Sequence, residues 1–197
     1  MTNFEKMRRY RTAGARDAVI HAGRSLDVFL AGPFIDLRKP VDDVENSSSA
    51  AKQLRFFLYN HFEHLGHVVY LGEDAEMRIN GEANFGSLAN AVVYERSHIK
   101  RHLNAVVVLP DSPGSFCEIG DWASDPEICK NLILIIDVSH EGKLNYINEG
   151  IVRLARSHGA EVRYLDYSNH AEIGTNCESF LTGVSQKLEV EELYGRR

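Results

Sequence analysis

The chain has 197 residues, of which 44% are hydrophobic and 25% are charged, and its formal net charge at pH 7 is −6. This is the composition of an ordinary globular protein, and the length suits one domain or one domain with a small appendage. The acidic balance argues against a broad nucleic-acid-binding face, although a local anion site stays compatible with it.

The cysteines and the apolar runs exclude further classes of protein. Cys117, Cys129 and Cys177 form no CxxC pair, so neither a disulfide framework nor a zinc knuckle is indicated, and reduced thiols are expected. The N-terminus is mixed and basic, unlike a secretory signal. No apolar run approaches the roughly 18 residues of a membrane span. We therefore expect a cytoplasmic protein with no membrane partner.

The hydrophobic periodicity predicts alternating strands and helices. Residues 1–25 are predicted to form an N-terminal helical extension, with a helix over 3–22, and residues 26–197 to form the main domain. In the first half of that domain, the predicted elements are a strand at 27–31, a loop at 35–48, a helix at 48–65, a strand at 67–71, a loop at 72–83 and a helix at 84–102. In the second half they are a strand at 104–109, a turn at 110–115 that begins a helix through Trp122, a strand at 131–138, a loop at 139–143, a helix at 146–157, a strand at 161–167 and a helix at 176–194.

This alternation predicts an α/β fold. The central strands are nearly continuous apolar runs, as expected where helices cover both faces of a sheet. A doubly wound, five-stranded parallel sheet follows, Rossmann-like or flavodoxin-like. Ligands of such sheets bind beyond the carboxyl ends of the strands, near the point where the strand order reverses. Three segments are thereby singled out: 32–38, 110–118 and 139–148.

The segment after the third strand carries the strongest candidate, Glu118. Small residues before it allow a ligand to approach the backbone, and a helix begins there with unpaired N–H groups. Glu118 then lies about one turn into the helix, near the cleft. An acid in the first turn that only complements the helix dipole is an equally good explanation. The associated candidate substrate-binding residues are Asp111, Ser112, Gly114 and Ser115.

Glu95 is the second candidate carboxylate. It shares a helical face with Leu88, Val92 and Ile99, so it is either at a solvated rim or placed in the cleft. Two carboxyl groups around one sugar can cleave a glycosidic bond, since one attacks or stabilises the sugar carbon while the other transfers a proton. The two candidates support each other only if they are neighbours in the fold.

Two further turns supply candidate binding residues. Gly32 and Pro33 close the first strand, and Phe34 is able to stack on a base or to pack in the core. Asn145 and Asn148 follow the fourth strand, and their amides suit sugar hydroxyls or base edges. For Asn145, the role of helix N-cap is favoured.

Other chemistries find less support in the sequence. Cys117 is a conceivable nucleophile with a histidine, but residues 117 and 118 point about 100° apart on a helix, so both cannot face the cleft. The nine histidines show no metal-binding spacing, and there is neither a GxGxxG nor a P-loop motif. We expect no catalytic metal and no cofactor.

The order of motifs resembles the nucleoside 2-deoxyribosyltransferase family. The matching pieces are FLAGPF at 29–34, the helix with Glu95, NAVVVLPDSPGSFCEIGDWA at 104–123 and LNYINEG at 144–150. The effector proteins of retron anti-phage systems, which share this fold, resemble the chain more closely over about residues 27–165. The resemblance implies that Glu118 attacks the sugar C1′ and that Glu95 helps to protonate the base. It also implies that Asn145 contacts the substrate sugar that is bound in a neighbouring subunit.

The resemblance also implies a function and partners. We expect cleavage of an N-glycosidic bond in a nucleoside, a nucleotide or NAD, by hydrolysis or by deoxyribosyl transfer, in a defence effector. A homo-oligomer is implied, together with association with a reverse transcriptase and its RNA or DNA product. The alternatives are a nucleotide-binding sensor without turnover, or a partner subunit of a defence complex.

Overall fold

A computed structural model describes residues 24–195 of the chain. The predicted N-terminal helix at 3–22 therefore lies outside the described residues. The strands are β1 Asp27–Ala31, β2 Val68–Tyr70, β3 Ala105–Val108, β4 Leu132–Asp137 and β5 Glu161–Leu165. The α-helices are α1 Val44–Ser47, α2 Ala50–His64, α3 Ala75–Phe85, α4 Ala91–His102, α5 Pro113–Trp122, α6 Pro126–Cys129, α7 Arg153–Ser157 and α8 His170–Leu193.

The five strands form one parallel sheet in the order β2-β1-β3-β4-β5. The predicted α/β class, strand number and strand direction are confirmed. The order reverses between β1 and β3, which pair with Val28 opposite Ala105. The loops after these two strands therefore flank the crevice in which ligands of such sheets bind.

The core consists of two apolar layers, one on each face of the sheet. Alternate residues of β1, β3 and β4 point to opposite faces, so these strands supply both layers. One layer packs against α2 and α8, and the other against α3, α4, α5, α6 and α7. In the second layer Trp122 meets the edge of Phe29, with ring centroids 5.5 Å apart. Within residues 24–195 no helix combines the length and the apolar character that crossing a membrane requires.

The segment predicted as a loop at 72–83 instead contains helix α3. Its glycine and acids suggested a loop, but tertiary packing overrides this weak propensity. A Cβ on Gly81 would lie only 2.4 Å from the Cβ of Tyr94, so the glycine permits close contact between α3 and α4. Met77 is buried on the same helix.

Two other helix predictions were wrong in their limits, and a third helix has its predicted limits but begins as a different type of helix. The helix predicted at 84–102 begins only at Ala91, where the Asn90 side chain caps it by accepting from Val93 N. The terminal helix begins at His170 and not at 176, because Asn169 provides an equivalent cap. The helix predicted at 146–157 begins with a π-helical stretch, Ile147–Val152, before α7.

Candidate functional site

Helix α5 places Glu118 beside the reversal point of the sheet. Ser112 and Ser115 form a reciprocal capping box at the start of this helix, which fixes the chain direction after β3. Glu118 lies one turn later, and its Oε2 is buried with no hydrogen-bond partner among the described residues. A buried carboxylate oxygen without a partner is costly, so Glu118 is more than a solvated first-turn acid.

Helix α4 places Glu95 in the same region. Glu95 is only 7% exposed, so the rim alternative is wrong for this residue. Its neighbour Arg96 pairs with Asp121 at 2.9 Å and with Asp125 at 2.6 Å, which joins α4 to the end of α5 and the start of α6. The apolar stripe predicted for this helix is not observed, because Leu88 and Val92 are exposed.

Gly72, just after β2, shows that the two carboxyl groups are neighbours. A Cβ placed on this residue would lie 3.3 Å from Glu95 Oε1 and 3.9 Å from Glu118 Oε1. These two oxygens are therefore no more than about 7.2 Å apart, the sum of the two distances. This upper bound overlaps the separation of roughly 5–9.5 Å between the two carboxyl groups of glycosidases. A side chain at position 72 would crowd this space.

The electrostatic surroundings of the two carboxyl groups affect their pKa values differently. Burial, followed by the nearby charge of Glu118, raises the pKa of Glu95 to about 8. Burial also raises the pKa of Glu118, but the positive charge of Arg55 opposes the rise. At neutral pH Glu95 therefore holds its proton, and the charge of Arg55 favours the ionised form of Glu118. Such a division makes one group an acid and the other a nucleophile or charge stabiliser.

Arg55 and Glu73 are functional-site residues that sequence reasoning missed. Arg55 is 1% exposed and donates to the backbone oxygens of Leu30 and Pro33 at the end of β1. It also forms a two-pronged ion pair with Glu73, with N–O distances of 2.8 and 3.0 Å. Arg55 therefore holds the loops after β1 and β2 together without neutralising Glu118 directly.

Both missed residues left traces in the sequence. Arg55 lies on the apolar stripe of α2, four residues after Ala51 and three before Leu58, as Glu95 lies beside Ile99. Glu73 follows the carboxyl end of β2, where ligand-binding residues of parallel sheets are expected. The charged residue on an otherwise apolar helix stripe is the sequence signal that could have identified Arg55, and the position after a strand end could have identified Glu73.

The turn after β1 is built for close backbone packing. A Cβ on Gly32 would come within 3.1 Å of Arg55 Cδ and 3.3 Å of Leu109 O, so no larger residue fits without a shift. Pro33 is buried, whereas Phe34 is 48% exposed. The core alternative for Phe34 is wrong, and its ring remains available to stack on a ligand.

The polar residues before α5 have mainly structural contacts. The Ser112 and Ser115 hydroxyls lie 3.0 Å apart and bond to each other's backbone, and Ser115 is buried. Asp111 is exposed and accepts from Ser49 Oγ at 3.3 Å. Gly114 is exposed in the first turn of the helix. Cys117 is exposed as well.

The two asparagines after β4 organise their own loop. Asn145 Oδ1 accepts from Asn148 N at 3.0 Å, which confirms the predicted cap. Asn148 donates to His140 O and Lys143 O and accepts from the Tyr164 hydroxyl at 2.7 Å. These internal bonds occupy the Asn148 amide, so its role toward a substrate stays a prediction.

The sheet order defines a Rossmann-like α/β protein, and two neighbouring carboxyl groups with raised pKa values lie at the reversal point of its sheet. The family model of the STM3845 retron effector protein matches residues 51–194, which is more than half of the chain. The chain therefore belongs to this retron effector family.

One curated relative shares part of the sequence. The "Retron Ec86 putative ribosyltransferase/DNA-binding protein" of Escherichia coli is 32% identical over 88 residues. The match covers 45% of this chain and 28% of that protein. The chain thus matches less than a third of the length of this relative.

Proposed function

We propose that the protein cleaves an N-glycosidic bond of a nucleoside, a nucleotide or NAD as a retron defence effector. The observation that supports this most is the proximity of Glu118 and Glu95, of which Glu95 holds its proton at neutral pH. The family membership and the ribosyltransferase name of the Escherichia coli relative support the same class of reaction.

The proposed reaction has two steps. The Glu118 carboxylate attacks C1′ of the sugar, the C1′–N bond breaks, and the base leaves with the electron pair of that bond. In a nucleoside or nucleotide, Glu95 donates its proton to the leaving base and becomes a carboxylate; the nicotinamide of NAD leaves as a neutral molecule without this proton, and the proton of the water in the next step then goes to solvent. Water then attacks C1′, Glu95 accepts a proton from it, and the ester bond to Glu118 breaks; an acceptor base in place of water makes the reaction a transfer.

The charges of the site favour a substrate whose phosphates are absent or lie away from the carboxyl pair. In the proposed reaction Glu118 is negatively charged, and the positive charge of Arg55 is already paired with Glu73. A phosphate next to Glu118 would be repelled, whereas a neutral nucleoside sugar would not. Phe34 is the exposed ring that we propose stacks on the base.

The proposal is tested by incubating the purified chain with nucleosides, nucleotides and NAD, and measuring free base by chromatography. Glu118→Gln should lower the rate by at least about 100-fold, because the nucleophile is lost. Glu189→Gln, a change to an exposed acid on α8, is the matched control and should retain the full rate. Base release that is equal in Glu118→Gln would contradict the proposed role.

The pH dependence gives a second readout. Because Glu95 must be protonated to release the base, the rate should fall as the pH rises through about 8. Saturable nucleoside binding without any base release would instead favour the sensor alternative.

The proposed partners are a second copy of the chain and the reverse transcriptase of a retron with its nucleic-acid product. Light scattering after size-exclusion chromatography measures the first, and co-purification from cells that express the retron tests the second. A monomer that never co-purifies with the reverse transcriptase would contradict both.

A further inference from the structure

A groove between α3 and α4 lies apart from the carboxyl pair. It has a volume of about 670 Å³, and edge strand β2 forms part of its floor. Small-molecule sites usually enclose roughly 300–1,000 Å³. Neither Glu95 nor Glu118 lines it, although Tyr94 does. Adjacent residues of a helix point about 100° apart, so α4 serves the carboxyl site with one face and the groove with another.

Aromatic rings from four different elements converge on the groove. Tyr59 comes from α2, Tyr70 from β2, Phe85 from α3 and Tyr94 from α4. All four are only partly buried, so their rings border the groove without being sealed in the core. The negative faces of aromatic rings attract cations.

The carboxylates that line the groove are its main charged groups, and beyond the lining the positive charge of Arg78 also acts on Tyr94. Asp74 and Glu76 line the groove, whereas no Lys or Arg does so among the described residues. Burial raises the pKa of Tyr70, and the carboxylates of Asp27, Asp74 and Glu76 raise it further. Tyr70 therefore lies in the negative potential of several carboxylates. This potential disfavours the binding of phosphates and other anions in the groove.

His98 does not offset this potential near neutral pH. Burial, followed by the nearby His102, lowers the pKa of His98. Its imidazole, whose ring lies 4.8 Å from that of Tyr70, is therefore neutral at pH 7 and adds another aromatic surface.

We propose that this groove binds a small organic cation, in the form of an amine or a quaternary ammonium with an apolar body. The rings contact the apolar body and the charge, while Asp74 and Glu76 supply the opposite charge at the rim. The proposal does not depend on the proposed glycosidic reaction, because neither Glu95 nor Glu118 lines the groove.

The test uses the full chain labelled with ¹⁵N and a titration with choline chloride followed by NMR. We expect saturable shifts of the amide signals of α3, α4 and β2. 3,3-Dimethyl-1-butanol has the same shape without the charge and should bind about tenfold more weakly. Absence of saturation, or equal binding of the two molecules, would overturn the proposal.

Substitutions separate charge from shape. Glu76→Gln should weaken choline binding about threefold, whereas Glu189→Gln, a matched change to an exposed acid on α8 outside the groove, should leave it unchanged. Tyr94→Leu should weaken it about two- to fivefold, provided that its thermal unfolding shows an intact fold. If Tyr94→Leu does not fold, Glu76→Gln decides; equal effects of the two glutamate variants would refute the site.

Discussion

Replacing Glu95 by Gln should stabilise the protein at neutral and alkaline pH. In the folded chain, burial and the charge of Glu118 raise the pKa of Glu95 to about 8, from an ordinary value of 4.5. Between these two pH values the unfolded chain has released this proton and the folded chain still holds it. Stability is therefore lost as the pH rises, and an uncharged Gln of nearly equal shape removes the loss.

The expected size of this effect follows from the same shift. Each pH unit above 4.5 costs the folded state about 1.4 kcal/mol until the folded-state pKa is reached. At pH 7 the loss in the native protein is about 3 kcal/mol, and above pH 8 it levels off at about 5 kcal/mol. Below pH 4.5 the native protein and Glu95→Gln should be equally stable, because Glu95 is then protonated in both states.

Urea unfolding at one-unit intervals from pH 5 to pH 9 measures this difference. The free energy of unfolding of Glu95→Gln should exceed that of the native protein by an amount that grows with pH. Glu82→Gln, which changes an exposed acid on α3, should follow the native curve. Parallel curves for Glu95→Gln and the native protein would refute the burial of an uncharged acid at this position.

Three other substitutions test the surroundings of the site. Gly72→Ala should slow base release about tenfold or more with little change in melting temperature, because its methyl group would lie 3.3 Å from Glu95 Oε1; an unchanged rate would contradict the proposed space. Arg55→Met should lower the free energy of unfolding by about 2–4 kcal/mol, measured in urea, since it removes the donors of two backbone carbonyl groups and leaves Glu73 without its ion-pair partner. Asn148→Ala should cost about 2 kcal/mol through the loss of three side-chain hydrogen bonds, and Asn145→Ala about 1 kcal/mol through the loss of one cap; the reverse order would be inconsistent with the observed bonds.

Local sequence patterns correctly predicted the elements that are determined by residues close to them in the chain. The apolar runs of β1, β3 and β4 fit the strands, and Asn145 acts as the cap that its position indicated. The patterns failed where distant packing decides the outcome. Helix α3 contains glycine and acids but packs closely on Tyr94 through Gly81, and Leu88 lies in a 3-10 turn outside the stripe assigned to it.

In the candidate site, too, the sequence predicted the individual residues, whereas only the tertiary structure showed how they are arranged. The sequence singled out Glu118 by its place after a strand and Glu95 by its place on a partly apolar helix face. Their proximity, the burial that raises the pKa of both groups, and the Arg55–Glu73 pair beside them emerged only in the folded chain.

By itself, the sequence determined the alternation of strands and helices, the parallel sheet and the chemical groups available at the strand ends. These follow from hydrophobic periodicity and from the capping residues, which act over a few neighbouring positions. The tertiary structure alone decided the strand order, the contact of two acids that lie 23 positions apart in the chain, and the groove between α3 and α4. Each of these depends on segments that meet across the sheet, and solvent exclusion, which sets the pKa of Glu95, exists only once they have met.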